Sequence, residues 1–400
     1  MIKKIDINEL QVGMYIHDLD ADWVDHNFIR TRFAVKTDKV LEKINKTSLK
    51  HVYIDTDKGI NIDAAATAVE VQQELVNQEQ QLAETKLGLE KQVPVAQEIK
   101  QAKSVFKEAH TVMQTLMTDF RLGKQVEVEA IEPITDKMVD SVFRNKDALV
   151  SLCRIKNKDQ YTFMHSVGVA GLMITFARVL NFSHEAIKEI AVGGMLHDIG
   201  KMTTPNEILN KPGKLNDQEF FVMRDHVVQS RIILSQTPGI TQNALDVAAL
   251  HHERVDGSGY PDGLKGDEIS LVGKMSTIVD VYDALTSIRC YKNAWEPSDA
   301  LKKLLEWSSN HFEPKLVHEF IRCLGIYPVG TLVELDSGKV GLVIEQNEQD
   351  LLKPILRVFY SSNKRCYLPV KQLDLAKEKH DFIQSAVQPV KYNIDLGAFM

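Results

Sequence analysis

Cysteine is scarce in this chain. Its four residues, Cys153, Cys290, Cys323 and Cys366, show no CxxC pair and no clustered framework, so free thiols in a reducing compartment are expected. No apolar run reaches the roughly 18 residues needed to span a bilayer, and the opening MIKKIDINEL lacks the apolar core of a secretory signal. A cytoplasmic protein without membrane insertion is the expectation. No Lys/Arg-rich run occurs and the net charge is -7, which argues against a nucleic-acid polymer as partner. Any positive charge meant for a phosphate must therefore be local. A phosphate-cradling P-loop, a dinucleotide fingerprint and internal repeats are also missing.

What is present is apolar content of 44% over 400 residues, enough to build the cores of two or three domains. The pattern predicts a multidomain, mainly α protein. Residues 1–64 alternate short β-branched runs (KKIDI, FIRTRFAV, KHVYIDT) with turns and one helical stretch near 38–48, reading as a small α+β domain. In LQVGMYIHDLD the glycine marks a bend. Residues 65–126 read as a helical linker, interrupted at Pro94, whose second stretch over 95–121 carries Ile99, Val105, Phe106, Val112, Met113, Leu116 and Phe120 at helical spacing. That stripe serves either a homodimer arm or packing within the chain. Residues 127–327 read as helix almost throughout, with loops at NKPGKLN and DGSGYPDGLKGD. Residues 328–376 then turn to strands around an Asp-Ser-Gly turn, a small β module, followed by a tail over 377–400.

Within the helical stretch, metal-capable side chains stand in apolar surroundings: His165 in YTFMHSVGVAGLM, His197 and Asp198 in AVGGMLHDIGK, His251 and His252 after LDVAAL, and Asp280 in KMSTIVDVYDAL, with His226 between them in the chain. A single His-Asp pair carries little weight, because a buried histidine with a satisfied partner is ordinary. Burying all seven is costly unless they have a common partner. Two metal ions answer that need, one held by His165, His197, Asp198 and Asp280, the other by Asp198, His226, His251 and His252, with Asp198 as the bridge. Adding a bridging hydroxide leaves about one open position per ion and a centre of about +1 charge, suited to an anionic phosphodiester. Imidazole and carboxylate ligands without thiolate favour iron or manganese. The other histidines, His17, His26, His51, His110, His184, His311, His318 and His380, lie in polar or isolated settings and are read as ordinary.

HDIGK at 197–201 and HHERVDGSGYPDGL at 251–264, with Gly259-Tyr260-Pro261 as the name-giving triplet, resemble the HD-GYP family within the HD superfamily. The match runs from His165 through Lys292. Residues 1–64 resemble a small N-terminal domain of one subgroup, and the linker and β module complete the same layout. The resemblance implies an all-α HD-type hydrolase domain that cleaves cyclic di-GMP to the linear dinucleotide and on to GMP, with cyclic GMP-AMP a substrate of some members. It carries over onto the seven ligands, onto Lys201 as a phosphate and transition-state contact, and onto Arg289 and Lys292 as substrate-phosphate contacts. Asp198 and Lys201 are thus the expected catalytic pair. The Gly-Tyr-Pro loop is implied to shape the site and to meet protein partners.

Glu253 and Asp283 are expected to orient imidazoles or cap helices. One departure from the pattern stands out. Members with a third metal add an acid about one turn before the first histidine, where this chain has Tyr161 and, nearest, Asp159, so two metals are expected. A silent cyclic-dinucleotide receptor is the competing class, and such receptors lose ligands that are all present here. A hydrolase of nucleoside phosphates or alarmones is a third option, disfavoured by His226, His251, His252 and the Gly-Tyr-Pro loop. The N-terminal domain lacks the acidic cluster and lysine of a phosphoacceptor receiver, which leaves its input unassigned.

Overall fold

The computed structural model describes residues 1–20, 32–45, 47, 49–83, 91–153, 161–211, 213–287, 294–308 and 310–394. The chain divides into two compact units, Met1–Gln80 with Lys211–Phe221, and Gln81–Asn210 with Val222–Met400.

In the first unit, β1 (Ile2–Asp6), β2 (Tyr15–Asp18), β3 (Phe33–Ala34), α1 (Asp38–Asn45) and β4 (His51–Asp55) give the expected α+β domain, its antiparallel sheet ordered β1-β4-β2-β3. Alternation along the strands sends Ile5, Ile16, Val52 and Ile54 inward against Met14 and Ile44. The bend falls at Gly13, whose N–H donates to the Val35 carbonyl. Of the strand expected over 28–35, residues 28–31 lie outside the described residues. α2 (Ala68–Ala83) opens with a reciprocal cap in which Thr67 N–H donates to the Glu70 carboxylate and Glu70 N–H to the Thr67 hydroxyl.

The second unit contains α3 (Val95–Arg121), α4 (Glu132–Cys153), α5 (Tyr161–Val179), α6 (His184–Leu196), α7 (Asn206–Leu209), α9 (His226–Ser235), α10 (Gln242–Leu250), α11 (Leu271–Thr286), α12 (Pro297–Trp307) and α13 (Pro314–Leu324), while α8 (Asp217–Arg224) crosses the boundary between units. Pro94 stands immediately before α3, where the interruption was expected. The segment expected as the second half of a linker is instead a packed member of the helical bundle. Glu98, 2% exposed, accepts from Ser141 Oγ and Arg144 Nε of α4 at 2.7 Å each, and Ala102, Ala109, Met113 and Met117 are fully buried. An amphipathic stripe shows that a helix packs, not against what.

α5 is apolar on every side and buried accordingly, with Val167, Ala170, Met173, Ile174 and Phe176 at 0% exposure. Beside it α6 starts at Ser183, whose hydroxyl accepts from Ala186 N–H. α6 lies between α5 and α10 at unusually close range. A Cβ on Gly194 would come 2.7 Å from Ala170 Cα, and one on Gly193 2.8 Å from Ala244 Cα, so only glycines let both neighbours approach. This crossing brings the C-terminal ends of α6 and α10 together, with His197 beside both His251 and His165 of α5.

The β module folds as β5 (Leu332–Leu335), β6 (Lys339–Glu345), β7 (Ile355–Ser361), β8 (Cys366–Asp374) and β9 (Ile383–Ala386), an antiparallel sheet ordered β8-β7-β6-β5-β9. The expected strands are there. The sheet continues past residue 376, however, since β9 lies in the predicted tail and pairs with β5. Among the described residues no helix is long and apolar enough to cross a membrane.

Candidate metal centre

The helices place the seven predicted ligands around one point. His165 lies within α5, His197 and Asp198 directly follow α6, His226 opens α9, His251 and His252 follow α10, and Asp280 lies within α11. Three imidazoles are anchored the same way: Nδ1–H of His197, His226 and His251 donates to the carbonyl three residues earlier, Gly194 (2.8 Å), Met223 (2.7 Å) and Ala248 (2.9 Å). His165 donates through Nδ1 to Asp283 Oδ2 at 2.6 Å. With Nδ1 carrying the proton, Nε2 keeps a lone pair aimed at the centre.

Asp198 reaches both halves of the cluster. Its Oδ2 lies 3.5 Å from His165 Nε2 and 3.4 Å from His197 Nε2, while its Oδ1 lies 3.4 Å from His226 Nε2 and 3.8 Å from His251 Nε2. Asp280 sits 3.0 Å from His165 Nε2 through Oδ1 and 3.7 Å from His252 Nδ1 through Oδ2, so it also touches the second half. Ligand-capable atoms fall within 4.8 Å of one another in three sets: His165, His197 and Asp280; His226, His251 and His252; His197, Asp198 and His251.

These residues fit divalent cations. Nε2 atoms approach to 3.3 Å in the His165–His197 and the His226–His251 pairs, lone pair toward lone pair, and Asp198 Oδ1 is buried without a hydrogen-bond donor. Lone pairs and an orphaned carboxylate oxygen at such range are costly without positive charge between them.

The electrostatics are those of a ligand set ready to bind. Burial pushes His226 down to about 4 and His251 down to about 3, and burial also pushes His252 well below the usual histidine value, so all three imidazoles are neutral near pH 7. His197 goes the other way, because the adjacent Asp198 outweighs burial. Burial would raise Asp198, yet the Lys201 ammonium and His197 hold it well below the carboxylate range. Asp280 is likewise held down against burial by its contact with His165.

Lys201 Nζ lies 2.5 Å from Asp198 Oδ2, at the edge of the centre. Between the two, Gly200 packs so tightly that a Cβ there would stand 2.0 Å from the His226 carbonyl oxygen. Ser230, fully buried, accepts from Gly200 N–H and donates to the His197 carbonyl, tying the HDIGK turn to α9. Nothing in the sequence signals that serine. Asp283 orients an imidazole as expected, whereas Glu253 does not: its carboxylate accepts the backbone N–H groups of Asp262, Gly263 and Leu264. Tyr260, to which sequence reasoning gave no role of its own, stacks its ring on the His252 imidazole, and the Arg224 guanidinium, likewise unassigned, lies over the tyrosine. Arg289, Lys292 and Asp159 lie outside the described residues, as does the side chain of Tyr161.

Models of an HD domain, of a domain of unknown function (DUF3391) and of a KOW domain associated with HD domains match residues 143–316, 2–131 and 332–394. A cyclic di-GMP phosphodiesterase of Pseudomonas aeruginosa is 37% identical over 380 residues, covering 94% of this chain and 90% of that protein. The chain belongs to the HD-GYP family. A 3'3'-cGAMP-specific phosphodiesterase of Vibrio cholerae is 37% identical over 182 residues, 45% of this HD-GYP chain and 35% of that protein. Among solved structures, an HDG"Y"P protein from Bdellovibrio bacteriovorus matches with a TM-score of 0.47 at 16% identity, covering 80% of this chain and 98% of that one. In this HD-GYP chain the HD-domain match contains all seven clustered residues, and the DUF3391 match runs on through α3.

Proposed function

We propose that this chain is a binuclear metal phosphodiesterase that hydrolyses cyclic di-GMP, with cyclic GMP-AMP as a second substrate. One observation carries the reading: Asp198 turns one carboxylate oxygen toward His165 and His197 and the other toward His226 and His251. His165, His197, Asp198 and Asp280 would hold one ion and Asp198, His226, His251 and His252 the other. Iron or manganese suits this mixture of imidazole and carboxylate. Two divalent ions, when bound, acidify a water and offset charge developing on a phosphoryl group.

The protein's own groups do the rest. Fixed Nδ1 hydrogen bonds keep four imidazoles in the tautomer that presents Nε2 inward, so no reorganisation is needed when charge develops. Lys201 adds a cation at the rim, already beside Asp198, where a phosphate oxygen can meet it. In the balanced reaction water gives its oxygen to phosphorus and a proton to the departing ribose 3′ oxygen, opening the ring to linear pGpG; a second hydrolysis gives GMP. The wide identity to a cyclic di-GMP phosphodiesterase supports this substrate class.

Manganese- or iron-loaded protein, incubated with cyclic di-GMP and cyclic GMP-AMP and followed by chromatography of the products, tests the proposal. Turnover with linear dinucleotide as first product is expected. Normal metal content with no turnover of either compound would leave a silent receptor instead.

A further inference from the structure

Five imidazoles line the centre, and four have their outer nitrogen tied down by a hydrogen bond. His252 is the exception. Among the described residues its side chain makes no hydrogen bond, and its Nδ1 lies 3.7 Å from Asp280 Oδ2. Its side chain is 18% exposed, against 2% or less for the other four. A metal-binding imidazole whose outer nitrogen is unheld can turn about its ring axis, and it loses the orientation that an outer-shell partner provides.

What His252 has instead is an aromatic neighbour. The ring of Tyr260 stacks on it with centroids 4.7 Å apart and planes inclined by 30°. Tyr260 is 8% exposed, its N–H donates to the His252 carbonyl at 3.0 Å, and the Arg224 guanidinium lies over its ring at 4.1 Å. The loop that carries the tyrosine is itself held. Glu253, 1% exposed, accepts from Asp262 N–H at 2.7 Å, Gly263 N–H at 3.2 Å and Leu264 N–H at 3.0 Å, closing the turn after Pro261 onto the residue that follows His252.

We propose that Tyr260 is the positioning residue for His252: its stacked ring replaces the hydrogen bond that orients the other four imidazoles, with Glu253 holding the loop in place. The inference rests on the two-metal reading above. It assigns the Gly-Tyr-Pro tyrosine to one of the two ions, the one held by His226, His251 and His252, and leaves the other ion independent of it.

The test is metal content, with activity set aside. Full-length protein is loaded with manganese and desalted, bound manganese per chain is measured, and the melting temperature of chelator-treated protein reports the fold. Wild type is expected to hold two ions. Tyr260→Leu and His252→Ala are expected to hold about one, the affected site losing affinity by about 10- to 100-fold, with metal-free melting temperatures like wild type. Tyr260→Phe keeps the ring and is expected to keep both ions. Should Tyr260→Leu not fold, Tyr260→His against Tyr260→Met compares a flat ring with similar bulk lacking one. Tyr260→Leu with two ions at wild-type affinity, or Tyr260→Phe losing the ion as well, overturns the positioning role. A wild-type chain holding fewer than two ions overturns the two-metal reading and this inference with it.

Discussion

Two buried polar clusters lie in the second unit, and they differ in how their charges are answered. Beside the break in α4, where Asn145 leaves helical geometry, Lys146 and Asp147 are each 3% exposed. Lys146 Nζ stands 3.1 Å from Asp147 and 3.3 Å from Glu348, and Lys91 Nζ stands 3.0 Å from Asp147 and 3.2 Å from Glu345. Burial would lower Lys146 and raise Asp147, but their mutual attraction reverses both, so each stays charged. Every carboxylate there faces an ammonium. At the metal centre, by contrast, Asp198 Oδ1 faces only the imidazole nitrogens of His226 and His251, both neutral. The first cluster pairs its charges and fastens the β module, through Gln346 N–H on Asp147, to α4. In the second, inward-facing Nε2 atoms and Asp198 Oδ1 converge, an arrangement that suits bound cations where the first suits a structural lock.

The comparison breaks most visibly on paired substitutions. Asp198→Ala is expected to lower cyclic di-GMP hydrolysis by about 1,000-fold or more, on the order of 4 kcal/mol in barrier, with loss of bound metal. Steady-state kinetics and elemental analysis check it, and full turnover would refute the bridging role. Asp147→Ala should do the reverse, costing about 3–5 kcal/mol of stability by leaving buried lysines unanswered, while metal content holds. Urea unfolding beside metal analysis separates the two.

Smaller effects sharpen the contrast. Asp283→Asn removes the carboxylate that orients His165 and should weaken one ion by about 10- to 100-fold, read by competition with a chelating dye. Gly194→Ala forces a Cβ against Ala170 and should cost about 1–3 kcal/mol, measured by thermal unfolding of metal-free protein.

Acidity should act on one cluster alone. In the folded chain His226 and His251 titrate at about 4 and about 3, below the roughly 6.5 of an unfolded histidine. Below about pH 6.5 the unfolded chain therefore takes up protons that the native one refuses, and their contribution to stability, full above that pH, is lost as pH falls toward 4. Asp147, held far below the usual carboxylate value, keeps its contribution until pH drops below about 4, where an unfolded aspartate titrates. Melting curves of chelated protein from pH 7.5 to 4 should decline, and Asp147→Ala should lower them without changing their slope.

Much of the site was legible beforehand because the chain puts metal-capable groups into helices that are otherwise apolar, as at His165 in α5 and Asp280 in α11. Burial there demands a common partner, and the demand is visible in one dimension. Partners fixed by the crossing of helices were not. Ser230 lies 30 residues beyond Gly200, and the acceptor of three loop amides is Glu253, a group expected to orient an imidazole or cap a helix. β9 escaped notice because IQSA is short and half polar, and it is a strand only because β5 offers an edge. α3 displayed its apolar stripe, but its burial against α4 depended on a fold the stripe does not encode.

The sequence by itself determined which metal-capable residues are buried together, since residue type and apolar context decide whether an imidazole or carboxylate can be buried alone. It also determined the order of helical and β segments and their family. Tertiary structure alone decided how the ligands share Asp198, which oxygen of that carboxylate faces which histidines, and that His252 leans on a tyrosine while its four neighbours lean on hydrogen bonds. Those are facts of distance between segments far apart in the chain. They arise from the close approach of α5, α6 and α10 that Gly193 and Gly194 permit.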